Sequence, residues 1–300
     1  MNLRRLQATA ISLLFSLATF ANTGSAGDNG AAKIAASVTQ ATIGESVNLT
    51  VTVSGITDGS GGKDDGACNY SVTIPSGVTT VKAGVSNTQS LSGSGKNGTY
   101  NHGTYTSSTA GKYSFKLNVT KGTAGNTSTD VTFCPQAPTA LPATDITSKG
   151  FTANWNEIDG ASYKVYVYKD GAEVNNYPAT GSSLVISDLQ PSTDYTYSVF
   201  TVQNGIMSIN GSPELDVATL TPAIALTAVS NAETTLGSEA NGTFNVSVEN
   251  IYDSDVKLAL SGENAGLFSL SSTSVTEFPS DVNFTFNPTA IGEFSATLTA

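Results

Sequence analysis

Short runs of alternating apolar and polar residues, broken by glycine- and proline-rich turns, predict an all-β chain of three β-sandwiches in tandem. Three observations carry this expectation. In SVNLTVTVSG, Val47, Leu49, Val51 and Val53 fall on one face and Asn48, Thr50 and Thr52 on the other, the period of a strand packed on one side. Only 12% of the residues are charged, and the chain holds one His, two Met and one Trp, a composition suited to strands and turns. Prolines cluster in CPQAPTALP (Cys134 to Pro142) and TLTPAIAL (Thr219 to Leu226), where stiff extended segments mark linkers.

The segment 1–26, MNLRRLQATAISLLFSLATFANTGSA, has a charged head, an apolar centre from Ala8 to Ala21 and a small-residue exit at Gly24, Ser25 and Ala26. That is the layout of a secretory signal peptide. A membrane anchor needs about 20 apolar residues; this run is shorter and carries Thr9, Ser12, Ser16 and Thr19. No cysteine sits near the exit, which argues against a lipid anchor. The reading is of an exported chain with no membrane span in its mature form.

Cleavage there would remove Arg4 and Arg5, the only arginines, leaving 11 lysines against 24 acids and a net charge of −13. Nucleic-acid binding rests on neutralising phosphates and on arginine forks at base edges. With no arginine and more than twice as many acids as lysines, the mature chain is poorly suited to either, so no nucleic-acid partner is expected. The acidity serves solubility.

The first module spans 31–135. Tyr113, Phe115, Leu117 and Val119 in GKYSFKLNVT repeat the alternation of the earlier strand, while DGSGGKDDGA (Asp58 to Ala67) and GSGKNG (Gly93 to Gly98) read as loops. Cys68 and Cys134 are the only cysteines. In an exported chain an even count reads as a disulfide, one that would stabilise the fold by about 4 kcal/mol in the chain-entropy view. The module resembles bacterial immunoglobulin-like domains, although its cysteines bracket only the second half of it.

The second module spans 136–221. Phe151, Ala153 and Trp155 alternate, Gly160 and Ala161 turn the chain, and Tyr163, Val165 and Val167 alternate again. Downstream, LQPSTDYTYSVFTV places Leu189, Pro191, Thr193, Tyr195 and Val199 in register. From about Ala137 to Leu220 this resembles the fibronectin type III domain. The resemblance implies that Trp155 fills the core and that Tyr195 is a corner tyrosine bonded back to the backbone. Thr201 departs from it, standing where the family usually has a small apolar residue. No Arg-Gly-Asp tripeptide occurs, so integrin-type binding has no support.

The third module spans 222–300. Phe284, Phe286, Pro288 and Gly292, followed by Phe294 and Leu298, predict a strand, a Pro-x-x-x-Gly turn and a last strand. This resembles the sandwich repeats of the abnormal-spindle and hydin type found in exported Bacteroidota proteins. There such repeats stand beside fibronectin type III modules, in surface proteins or ahead of a secreted catalytic domain.

No catalytic constellation emerges. His102, the only histidine, lies in the Gly-rich YNHGTY and reads as a surface-loop residue rather than a general base. The carboxylates are scattered at strand ends and turns, with no pair set apart for glycoside chemistry. Asp58, Asp64 and Asp65, or more weakly Asp253 and Asp255, are oxygen ligands of the kind calcium takes, but neither run has an EF-hand pattern. No P-loop, dinucleotide fingerprint or zinc-ligand spacing exists. No cofactor or metal is expected.

One feature of the second module goes beyond scaffold. If Tyr163, Val165 and Val167 point inward, Lys164, Tyr166 and Tyr168 point outward, and Phe200 does so on a neighbouring strand. Tyr166, Tyr168 and Phe200 would then form an aromatic patch able to stack on a sugar or bury a partner, or simply decorate a strand that favours tyrosine. The expected function is a non-catalytic protein, secreted or at the surface of a Gram-negative bacterium. It would serve adhesion, interaction with a protein or glycan, or spacing. The alternatives are the accessory region of a longer secreted nuclease, peptidase or glycoside hydrolase, and a carbohydrate-binding module.

Overall fold

The alternation of the first module closes its core. The computed structural model describes residues 30–56, 66–227, 229, 233–251 and 254–300. The signal peptide, Asp58, Asp64, Asp65 and Asp253 lie outside the described residues. The first ten strands are β1 (Ala31–Ala36), β2 (Gln40–Thr42), β3 (Val47–Ser54), β4 (Ala67–Thr73), β5 (Thr79–Ala83), β6 (Thr88–Ser92), β7 (Gly98–Thr106), β8 (Gly111–Lys121), β9 (Thr123–Asn126) and β10 (Ser128–Cys134). They form two sheets ordered β5-β7-β3-β1-β9 and β2-β10-β8-β4-β6. Val47, Leu49, Val51 and Val53 are all buried, as are Phe115 and Leu117. Tyr105 of the first sheet meets Phe115 of the second at 5.6 Å between ring centroids, which joins the two sheets face to face.

Two expectations about this module are corrected. Cys68 and Cys134 are free, buried thiols, not a disulfide. The sheet order places β8 between β4 and β10, so the two cysteine-bearing strands are roughly 9.6 Å apart at two strand spacings, beyond the ~7 Å Cα separation that a bridge tolerates. His102 is not a loop residue but a core one, 2% exposed. On β7 the register jumps from Gly103, opposite Leu49, to Asn101, opposite Thr50. His102 is therefore the extra residue of a β-bulge, which turns a side chain off its regular alternation. Gly103 accommodates the distortion at φ +128°.

Eight strands follow: β11 (Ala140–Thr144), β12 (Phe151–Trp155), β13 (Ser162–Lys169), β14 (Ala172–Ala179), β15 (Ser183–Ile186), β16 (Asp194–Gln203), β17 (Ile206–Met207) and β18 (Leu215–Ala218). One sheet runs β11-β12-β15; the other runs β14-β13-β16-β17, with β18 also paired to β16. Phe151, Ala153, Trp155 and Ile186 from the first sheet share a core with Tyr163, Val165, Val167, Tyr197, Val199 and Val217 from the second.

The last strands are β19 (Ala223–Leu226), β20 (Ala240–Glu249), β21 (Val256–Lys257), β22 (Ala259–Ser261), β23 (Phe268–Leu270), β24 (Ser274–Val275), β25 (Ser280–Phe286) and β26 (Thr297–Thr299). A sheet β19-β20-β25-β23 and two small pairs, β21-β24 and β22-β26, enclose a core around Phe244, Val246, Val282 and Phe284. The closing strand is shorter than its pattern suggests. Phe294 lies ahead of β26 and packs on Phe286 at 6.1 Å instead of joining the strand.

Packing divides the chain into two compact units. One is built from Ser46–Tyr105 and Ser114–Val131 with the segment ending at Val38; the other takes Thr39–Glu45, Thr106–Tyr113 and Thr132–Ala300. The second unit contains two separate hydrophobic cores, one around Trp155 and one around Phe244.

Candidate functional site

The aromatic residues of the middle sandwich divide between core and face by strand parity. Trp155 is 1% exposed and packs on Tyr163 at 5.2 Å. The Tyr163 hydroxyl receives the Ile158 N–H at 2.5 Å. Tyr195 is buried, and its hydroxyl accepts the Gln190 N–H at 3.0 Å, five residues upstream. Tyr197 donates its hydroxyl to the Leu141 carbonyl, tying β16 to the opposite sheet, and burial pushes its phenol above the usual tyrosine range. These rings are scaffold, since each phenol is spent on backbone.

The other parity faces outward. β13 and β16 pair antiparallel with Lys164 opposite Phe200, Tyr166 opposite Ser198 and Tyr168 opposite Thr196. Tyr166, Tyr168 and Phe200 are each half-buried. Tyr166 lies nearly parallel to Tyr168 at 6.4 Å and meets Phe200 edge-on at 5.0 Å. The Lys164 ammonium sits 5.1 Å from the Tyr166 ring centroid, a cation–π contact worth about 0.5–1 kcal/mol at an exposed site. The structure thus brings the three predicted patch residues together.

Phe200 is also packed by a segment that the sequence reading did not single out. Between β17 and β18 the chain leaves the ladder, and the β16 amides bond to serine instead. Val199 N–H donates to Ser212 Oγ at 3.0 Å and Thr201 N–H to Ser208 Oγ at 3.2 Å. This detour lays Gly211 on the Phe200 ring, so closely that a Cβ there would lie 2.6 Å from a ring carbon. Thr201 itself is fully buried, and its hydroxyl has no hydrogen-bond partner.

Beyond Tyr168 the same face becomes acidic. A cavity of about 510 Å³ is lined by Tyr168, Asp170, Asp194, Thr196, Glu214 and Asp216, among others. Pairing of Thr196 with Asp216, and of Asp194 with Ala218, brings β18 alongside. The Thr196 hydroxyl donates to Glu214 Oε2 at 2.6 Å, fixing one carboxylate over the cavity. Among the described residues, no group of three His, Cys, Asp or Glu side chains is placed to hold a metal ion. The acids were legible as strand-end residues; only the pairing of β16 with β18 assembles them.

His102 contributes to no such face. Its Nε2 lies 2.9 Å from the Tyr70 hydroxyl, its Nδ1 is buried without a partner, and burial lowers its pKa below the ordinary histidine value. The Tyr105 hydroxyl donates to the His102 carbonyl at 2.8 Å. This is a polar knot in the first sandwich.

A three-stranded and a larger sheet closed over a tryptophan, with a tyrosine bonded back to the preceding corner, define an immunoglobulin-like β-sandwich. Within that class the middle module is a fibronectin type III domain: the model of that family matches residues 136–216. Similar solved structures include the fibronectin type III domain of human fibronectin type III domain containing protein 3, 17% identical, covering 29% of this chain and 88% of that one at a TM-score of 0.25. Another is the chicken CNTN1 FN1–FN3 segment, 14% identical, covering 65% of this chain and 68% of that one at 0.30. A cytokine receptor complex is 13% identical, with 61% of this chain and 94% of that one covered at 0.32. No curated protein sequence matches the chain.

Proposed function

We propose that this chain is an exported, non-catalytic multidomain protein that acts at the cell surface, its β-sandwiches presenting the outer face of the fibronectin type III module to a partner. Fibronectin type III and immunoglobulin-like domains are typical interaction modules. The observation that carries the reading is the cluster of Tyr166, Tyr168 and Phe200, which packs together yet stays half-exposed. Tyr166 is the centre of the cluster: it stacks on Tyr168, meets Phe200 edge-on and carries the Lys164 ammonium over its ring. The signal-like segment 1–26 supports export, and Pro288 with Gly292 supports a third module of the abnormal-spindle and hydin type.

The test uses cells displaying the full chain. Adhesion to protein- or glycan-coated surfaces should fall when Tyr166→Ala and Tyr168→Ala are combined, with display level unchanged. Adhesion indifferent to both changes, or no display at the surface, would overturn the proposal.

A further inference from the structure

We infer that the outward face of β13, β16 and β18 docks an extended, lysine- or arginine-bearing segment of a partner protein. This rests on the reading of that face as an interaction surface and adds the chemistry of the occupant.

Charge complementarity decides it. Asp170, Asp194, Glu214 and Asp216 line the cavity beside Tyr168, and Glu173 stands opposite Tyr168 on β14. Lys164 is committed to the Tyr166 ring, and no lysine lies within ion-pair distance of these five acids among the described residues. An arriving cation would gain attraction from several carboxylates at once. A neutral sugar would stack on the rings but leave the acids uncompensated. A second copy of this chain, at a net charge of −11, would be repelled.

The spacing favours an extended segment. Alternate side chains of a strand recur at roughly 6.6–6.8 Å, and the rings of Tyr166 and Tyr168 are 6.4 Å apart. A segment lying along β13 would set successive outward side chains over the two rings. Its lysine or arginine stems would cover the apolar ring surface and place their charged heads among the acids.

The experiment measures binding of the full chain to an alternating Lys-Ser peptide by calorimetry, with an alternating Glu-Ser peptide and a neutral malto-oligosaccharide as comparators. The Lys-Ser peptide alone should bind, more weakly as salt is raised. Tyr168→Leu, and separately Glu214→Gln with Asp216→Asn, should each weaken it about tenfold. Glu263→Gln, which removes a charge from the third module, should leave it unchanged. Equal loss with Glu263→Gln would reduce the binding to net charge and overturn the inference, as would equal binding of the Glu-Ser peptide. If Tyr168→Leu abolishes sugar binding while the acid changes do nothing, the face remains an interaction surface and only the basic partner is wrong.

Discussion

The backbone N–H of Gln190 is held by the hydroxyl of Tyr195 at 3.0 Å, locking the turn that delivers the chain into β16. The ring is buried, so the hydroxyl is the amide's substitute for water. Tyr195→Phe keeps the ring and leaves that amide without its partner, at a cost of about 1–3 kcal/mol. Trp155 is the only tryptophan and lies in this module's core, so its fluorescence reports unfolding of this module specifically. The urea midpoint by that signal should fall.

Thr201→Val should move the same midpoint the other way. The threonine hydroxyl is buried without a partner, while its backbone amide is already bonded to Ser208. Replacing the hydroxyl by a methyl removes a desolvation penalty at nearly constant shape, stabilising the module by about 1 kcal/mol.

Gly211→Ala forces a methyl against Phe200. The ring must shift, costing about 1–3 kcal/mol, and it carries its edge contact with Tyr166 along. Ring resonances of Tyr166 should move in an NMR spectrum, whereas those of Tyr163 on the inner face should not.

The first sandwich should lose stability in mild acid. His102 is buried and its pKa is lowered, so protons bind the unfolded state more readily than the folded one. Stability is complete above the unfolded value of about 6.5 and declines as pH falls below it toward the lower folded pKa, by at most about 1.4 kcal/mol per pH unit. Hydrogen exchange of the β7 amides, followed from pH 8 to pH 5 and corrected for intrinsic rates, should reveal the loss. His102→Gln should flatten this dependence.

Cys68 and Cys134 should behave as two inert thiols, since burial raises the pKa of both. A thiol reagent should modify neither in the folded chain and both after denaturation. A reductant should leave the melting temperature unchanged; a drop would reveal a bridge.

Alternation was enough to separate Trp155, Tyr163 and Tyr195 from Tyr166, Tyr168 and Phe200, because a strand reverses its side chains at every residue. The glycine-rich composition around it misplaced His102. A bulge breaks the alternation without an unmistakable mark, and a glycine-rich stretch reads as a loop until its partner strand is known. Cysteine parity likewise suggested a bridge that the order of strands in the sheet forbids.

Period and composition therefore settled which side chains are core and which are face on regular strands such as β3, β12 and β13, since these depend on neighbours in the chain. The acidic cavity, the serine-bonded detour that lays Gly211 on Phe200 and the separation of Cys68 from Cys134 were decided only on folding. Each depends on which strands lie side by side, and that choice joins residues far apart in sequence through long-range pairing that no local pattern records.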